Sequence, residues 1–210
     1  MKVAILSESS ADEAVIRVLV EGVLGKPTQI VPPPSLKTRG WQGALAAPLV
    51  VLRKLHYEMD VDAFVAVVDS DHSPIHQAAH DQPGNEDSKC RLCNLRKNVA
   101  KVQNQLRSRV GRPPIKTAFG LAVPTIEAWL RCGVDRRVSE AAWSQGLQSR
   151  SFPYTKLELK KGIYGSEYAP LALTTARGIE EAQRLILELD NFEKVFPNGF
   201  GSLARAIRNW

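Results

Sequence analysis

Several absences bound this sequence before any motif is read. Cysteine is scarce and odd in number, with only Cys90, Cys93 and Cys132, which argues against a disulfide scaffold, since such frameworks pair even counts in exported chains. No apolar run approaches the ~20 residues needed to span a bilayer; the longest, residues 44–52, is interrupted by Pro48. The opening MKVAILSESSADE has one lysine and turns acidic after a short apolar stretch, unlike a secretory leader. A cytoplasmic protein without membrane contact is expected. No G-x-S-x-G, P-loop or G-x-G-x-x-G occurs, so hydrolase elbows and dinucleotide fingerprints have no support. Internal repeats and low-complexity tracts are also missing. Acidic residues are absent from one long stretch, residues 88–126.

That stretch holds Lys89, Arg91, Arg96, Lys97, Lys101, Arg107, Arg109, Arg112 and Lys116. A block of one sign is a footprint for phosphates, or equally a solvated helix face. The net charge of +6 in 210 residues follows from this distribution. A hydrophobic fraction of 44% suits one globular domain with a modest insertion and tail.

Hydrophobic periodicity predicts an alternation of strands and helices. Residues 2–6 (KVAIL) read as a buried strand, and Ile16, Leu19, Val20 and Val23 then repeat at helical spacing as far as Gly25-Lys26-Pro27. Gly22 weakens the last turn of that helix. Residues 28–31 predict a second strand. Leu45, Leu49, Leu52 and Leu55 predict a helix over about 42–59, with Pro48 as its weak point. Residues 63–68 (AFVAVV) are the strongest strand signal and run into Asp69-Ser70-Asp71. A polar insertion follows, then a helix over 95–110 with Val99, Val102 and Leu106 inward, a strand over 117–123, and a short helix from Thr125. Helices over 179–189 and 202–210 close the chain. The expected organisation is a metal-binding core at residues 1–134, with an insertion at 72–94, and a mostly helical extension at 135–210 packed on it. Such alternation predicts an α/β fold with a parallel sheet covered on both faces, whose chemistry gathers at the carboxyl ends of the strands.

Glu8, Asp69, Asp71 and Glu127 all follow predicted strands. Asp69 and Asp71 are two apart, so in extended geometry both side chains point to one side and reach one ion. Carboxylates are the hard oxygen ligands that Mg²⁺ or Mn²⁺ takes, with waters and substrate phosphates as the rest. Asp12 is an outer candidate for the same cluster. Either reading of a lone D-x-D is open, ligand pair or loop and cap residues; its conjunction with Glu8 and Glu127 favours metal.

This pattern resembles the Toprim fold of topoisomerases, bacterial primases and the overcoming-lysogenization-defect nucleases. Toprim domains place a Glu after the first strand and a D-x-D after a later one, as Glu8 and Asp69-Ser70-Asp71 stand here. Glu8 with Asp12, and Thr125-Ile126-Glu127, are similar to the nuclease branch. The phrase Pro124-Thr125-Ile126-Glu127-Ala128-Trp129-Leu130, and the ending from Asn191-Phe192 to Leu203, resemble small stand-alone Toprim-like proteins of bacteria, some linked to phage defence. The resemblance covers residues 1–130 and the remainder only loosely. Ser9 replaces the usual glycine after the first acidic residue, and the His/Cys segment lies outside the common core. The resemblance implies a Mg²⁺- or Mn²⁺-dependent nuclease with Glu8, Asp12, Asp69, Asp71 and Glu127 around two ions, and a catalytic lysine, either Lys160 or Lys161. It also implies a defence setting, with an ATPase-type partner protein and oligomers within its scope.

His72, His76 and His80 are spaced by four, and Cys90-x-x-Cys93 follows. Two histidines and a C-x₂-C pair suffice for tetrahedral Zn²⁺; the bland alternative is an exposed histidine face beside ordinary thiols. The expected ligands are His76, His80, Cys90 and Cys93, with His72 left to face the acidic site. Cys132 reads as a packed thiol and His56 as a surface or boundary residue. Trp129, Trp143, Phe152, Tyr154, Tyr164 and Tyr168 read mainly as core, with base stacking the lesser reading.

The function expected is phosphodiester hydrolysis of DNA or RNA. Arg96, Lys97, Lys101, Arg107, Arg109, Arg112 and Lys161 are the candidate nucleic-acid contacts. The alternatives are a catalytically silent nucleic-acid or protein-binding module, and a nucleotidyl or phosphoryl transferase using the same acidic edge.

Overall fold

The computed structural model describes residues 1–34, 40–108 and 111–210. Its strands are β1 (Lys2–Leu6), β2 (Gln29–Ile30), β3 (Ala63–Asp69) and β4 (Lys116–Ala122). They form one parallel sheet in the order β2-β1-β3-β4. Ala63 of β3 sits opposite Val3 on one side and Lys116 on the other. A strand hydrogen-bonded on both sides and covered on both faces must be apolar throughout, and residues 63–68 are all buried. Because every strand points the same way, Glu8, Asp69 and residues 123–127 emerge at one edge.

The helices, in chain order, are α1 (Ser10–Leu24), α2 (Gly40–Tyr57), α3 (Arg91–Gln103), α4 (Ile126–Leu130), α5 (Glu140–Ser149), α6 (Lys156–Tyr164), α7 (Leu171–Leu185), α8 (Leu189–Val195) and α9 (Phe200–Arg208). α1 packs against α7 and α9, while α2 packs against α3. Both α9 and α3 lie on β4. Two glycines permit the close approach of α1 to the chain's last third. A Cβ on Gly178 would stand 2.7 Å from Val15 Cγ2, and one on Gly22 would stand 2.3 Å from Ile186 Cγ2. Gly22 is therefore a contact point, not the fraying turn that its propensity suggests.

The core continues into the carboxyl-terminal helices. Trp129 meets Phe192 and Phe200 edge-on, with ring centroids 5.8 and 5.6 Å apart, and Phe192 stacks on Phe200 at 3.9 Å. All three are fully buried, each contributing on the order of 2–3 kcal/mol of apolar transfer.

The predicted strands are all present, the second reduced to two residues. α3 begins at Arg91 and ends at Gln103, earlier at both ends than its apolar spacing suggests. The helix expected over 179–189 is α7, a 3₁₀ turn at Ile186–Glu188 and then α8. α5 and α6 are additions, since their apolar faces are short. His56 is buried, with its Nε2 2.8 Å from the Arg107 carbonyl oxygen; packing of α2 on α3 encloses a position that looked peripheral. Among the described residues, no helix is long and apolar enough to cross a membrane.

Candidate functional site

At the carboxyl edge of the sheet lies a cleft of about 420 Å³ whose walls include Glu8, Asp12, Asp69, Thr125 and Glu127 on one side and Lys156, Lys160 and Tyr164 of α6 on the other. Ordinary local rules deliver the acidic wall. Ser9 caps α1, its Oγ accepting from the Asp12 amide at 3.2 Å and donating to Asp12 Oδ2 at 2.8 Å. Glu8 Oε1 accepts from the Asp69 amide at 3.3 Å, tying the ends of β1 and β3 together. Asp69 Oδ1 accepts from the Ile126 amide at 3.2 Å, so it also caps α4. Glu127 lies in the first turn of α4 and is buried.

Packing these carboxylates together raises the cost of ionising them. Burial, with Glu127 and Glu8 nearby, pushes Asp12 up to about 6, against the pull of Ser9. Asp69 is held well above the usual carboxylate range by burial, then by Glu127, Glu8 and Asp12, with Lys156 opposing. Lys156 is lowered by burial although Asp69 and Glu8 pull it up. Burial raises the Tyr164 phenol, reinforced by Glu127, Asp12 and Asp69. One further wall group is unsatisfied: Thr125 Oγ1 is buried without a hydrogen-bond partner among the described residues.

Asp71 departs from the extended geometry that would align it with Asp69. Its backbone is left-handed, at φ 50°, and its amide donates to the Pro124 carbonyl at 3.0 Å. The Asp71 carboxylate is held in ion pairs with Arg91, at 2.7 Å, and with Lys156, itself a residue of the cleft wall. Lys160 lines the cleft with its Nζ 4.0 Å from Glu127 Oε1, whereas Lys161 pairs with Glu167 at 2.6 Å.

The second cluster is tighter. His76, His80, Cys90 and Cys93 each offer one ligand atom, all within 4.8 Å of one another, and the group could hold a metal ion. Among the described residues no other His, Cys, Asp or Glu group is gathered so closely. Nδ1 of His76 lies 3.7 Å from Cys90 Sγ and 3.5 Å from Cys93 Sγ, and Nδ1 of His80 lies 3.7 Å from Cys93 Sγ. Bonds of about 2.3 Å to sulfur and 2.0 Å to nitrogen give a tetrahedral zinc S···N edges of about 3.5 Å. His76 Nε2 lies 3.0 Å from Asp81 Oδ1 and 3.0 Å from Arg96 Nη1, which itself pairs with Asp81; in the tautomer that donates to Asp81, Nδ1 is free to face the thiols, the support that metal-bound histidines receive from carboxylates. Burial lowers the His76 imidazole and pushes the Cys90 thiol up to about 12. A neutral imidazole is ready to ligate, and a buried thiolate needs a cation beside it.

His72 does not face the acidic cleft. It lies against Trp143 and Phe152, with ring centroids at 6.1 and 5.4 Å. Trp129, Trp143, Tyr154 and Tyr164 are core residues, and Cys132 is a buried thiol. Of the basic candidates, Arg96 pairs with Asp81 and Arg112 with Asp60 at 3.1 Å. Lys97, Lys101 and Arg107 are exposed, and Arg109 lies outside the described residues. Lys156, Arg91, Thr125 and Tyr164 escaped sequence reasoning as site residues. For Lys156 a signal was present: Thr155 and Glu158 form a capping box, which announces a helix placing Lys156, Lys160 and Tyr164 on one face.

Compared with family models, with curated proteins and with solved structures, the chain finds no match in any of the three. Fold and site define an α/β protein with a four-stranded parallel sheet and a His/Cys group able to hold a metal.

Proposed function

We propose that this chain is a divalent-metal-dependent nuclease of Toprim-like fold, acting on phosphodiesters of DNA or RNA and braced by a structural Zn²⁺ at His76, His80, Cys90 and Cys93. One observation carries the reading: a sheet-edge cleft sets Glu8, Asp12, Asp69 and Glu127 against Lys156 and Lys160. Mg²⁺ typically uses one or two carboxylates and fills its remaining positions with waters and phosphate oxygens, so the looser spacing of this cluster suits it. Asp69 and Glu127 would hold the ion, with Glu8 beside them. When bound, it polarises a phosphoryl oxygen and acidifies a water.

The chain's own groups do the rest. Lys156 and Lys160 present positive charge across the cleft from the carboxylates, where the non-bridging oxygens of a phosphodiester develop charge. Asp12, at about 6, is matched to accept a proton near neutral pH. Thr125 Oγ1, unpartnered in the wall, has a hydrogen bond to offer to a bound oxygen. Lys97 and Lys101 lie exposed on α3, whose first residue, Arg91, reaches Asp69 and Asp71; they supply a track for a nucleic-acid backbone, with salt-sensitive binding.

The test is cleavage of labelled single- and double-stranded DNA and RNA with Mg²⁺, Mn²⁺ or EDTA, alongside zinc analysis of the purified chain. Cleavage lost in EDTA and in Asp69→Asn supports the reading. Nucleotide-adduct products would instead indicate a transferase. Tight nucleic-acid binding without turnover on every substrate would indicate a binding module.

A further inference from the structure

The two clusters are joined by one side chain. Cys90 and Cys93 flank Arg91 and Leu92 at the first turn of α3. Arg91 Nη1 lies 2.7 Å from the Asp69 carbonyl oxygen and 2.7 Å from Asp71 Oδ2. The same guanidinium thus grips the end of β3 at two points, the backbone of one acidic residue and the carboxylate of the next. A charge-assisted grip of this kind is among the stronger polar contacts in a fold.

What it grips is a backbone in need of support. Asp71 holds φ at 50°, a conformation that costs a non-glycine residue on the order of 1 kcal/mol and persists only where the surroundings over-determine it. Those surroundings are the Pro124 carbonyl, the Trp143 indole donating to the Asp71 carbonyl at 3.2 Å, Lys156 and Arg91. Arg91 is the member that lies between two cysteines of the His/Cys group. Cys90, Leu92 and Cys93 anchor the first turn of α3 in the core, whereas most residues from 77 to 89 are exposed, so a metal at the His/Cys group would be the tie between that turn and the segment carrying His80.

We propose that metal at His76, His80, Cys90 and Cys93 sets the conformation of the 69–71 segment through Arg91, holding the Asp71 carboxylate on Arg91 and Lys156 while Asp69 lines the cleft. The proposal deepens, and rests on, the reading of the cleft as the working site. The His/Cys centre clamps the first turn of α3, and Arg91 transmits that clamp as a positioning residue. Occupancy of one metal site then governs the carboxylate arrangement of the other.

The experiment follows amide hydrogen exchange at Ser70 and Asp71, whose N–H groups donate to the Ala122 and Pro124 carbonyls, together with zinc content. It compares the full chain as purified, stripped by chelator, and reloaded with Zn²⁺ alone, and adds Arg91→Ala and Arg91→Lys. Stripping and Arg91→Ala are each expected to speed exchange at these two amides by about tenfold or more, the equivalent of one lost charge-assisted hydrogen bond. Exchange in residues 63–68 stays unchanged, Arg91→Ala retains its zinc, and Arg91→Lys restores most of the protection. Should stripping unfold the chain outright, His80→Ala, which removes one half-buried ligand and leaves Cys90 and Cys93 in the core, supplies the metal-weakened chain for the same comparison. Exchange at 70 and 71 that ignores both zinc and Arg91, or a chain that takes up no zinc, overturns the proposal. Neither readout involves cleavage, so a chain that fails to cut nucleic acid leaves the coupling standing, while zinc-independent exchange in an active nuclease removes the coupling alone.

Discussion

Replacing Asp12 by asparagine should make the metal-free protein more stable, and only above a definite pH. Asp12 rises from 3.8 to about 6 on folding, chiefly through burial. Between those values the folded state binds more protons than the unfolded one, so stability falls as pH rises through the window and then levels off. At about 1.4 kcal/mol per pH unit, the ionisation of Asp12 opposes folding by roughly 3 kcal/mol at neutral pH. Asparagine keeps an oxygen that can accept from Ser9 Oγ, now at 2.8 Å, so little of the gain is lost there. Asp12 is also one of the charges that raise Asp69, so removing it eases the ionisation of Asp69 and adds to the gain in the same direction. Urea unfolding in EDTA, repeated from pH 4 to 8, should show the two proteins converging near pH 4. By pH 8, Asp12→Asn should lead by about 1–3 kcal/mol. Adding Mn²⁺ should narrow the lead, because a bound cation relieves the same charge in the wild type. A difference that does not vary with pH, or a less stable variant at pH 8, would refute the reasoning.

Three further outcomes are expected. Zinc analysis should give one equivalent per chain, dropping well below that in Cys93→Ser; Asp81→Ala, which removes the partner of His76, should weaken zinc about 10- to 100-fold in a competition titration. Lys156→Ala should lower the single-turnover cleavage rate by about 10²- to 10³-fold, and an unchanged rate would remove Lys156 from the site. Gly178→Ala places a Cβ 2.7 Å from Val15 Cγ2; overpacking of about 1–3 kcal/mol should outweigh the ~1 kcal/mol helix-propensity gain, and Val15→Ala in the same chain should recover the loss in a thermal melt.

The parallel sheet and the convergence of the His/Cys group were legible in the sequence because both are written at short range. A strand buried on two faces has to be an unbroken apolar run, and residues 63–68 are one. Residues able to hold a metal announce themselves by type and close spacing, as His76, His80, Cys90 and Cys93 do. Glu8, Asp69 and Glu127 could be placed at one edge because parallel strands deliver their carboxyl ends together. Asp71, Arg91, Lys156 and His72 could not be placed in this way. The direction of the Asp71 side chain turns on one backbone angle, and that angle is supported by Pro124, Trp143, Arg91 and Lys156, 20 to 85 residues away along the chain, by subtraction of those residue numbers. Composition and periodicity carry no information about which distant group arrives beside a strand end. Only packing α3 and the helices after Glu127 around the sheet brings a guanidinium and an ammonium to Asp71, partners that its spacing from Asp69 does not reveal.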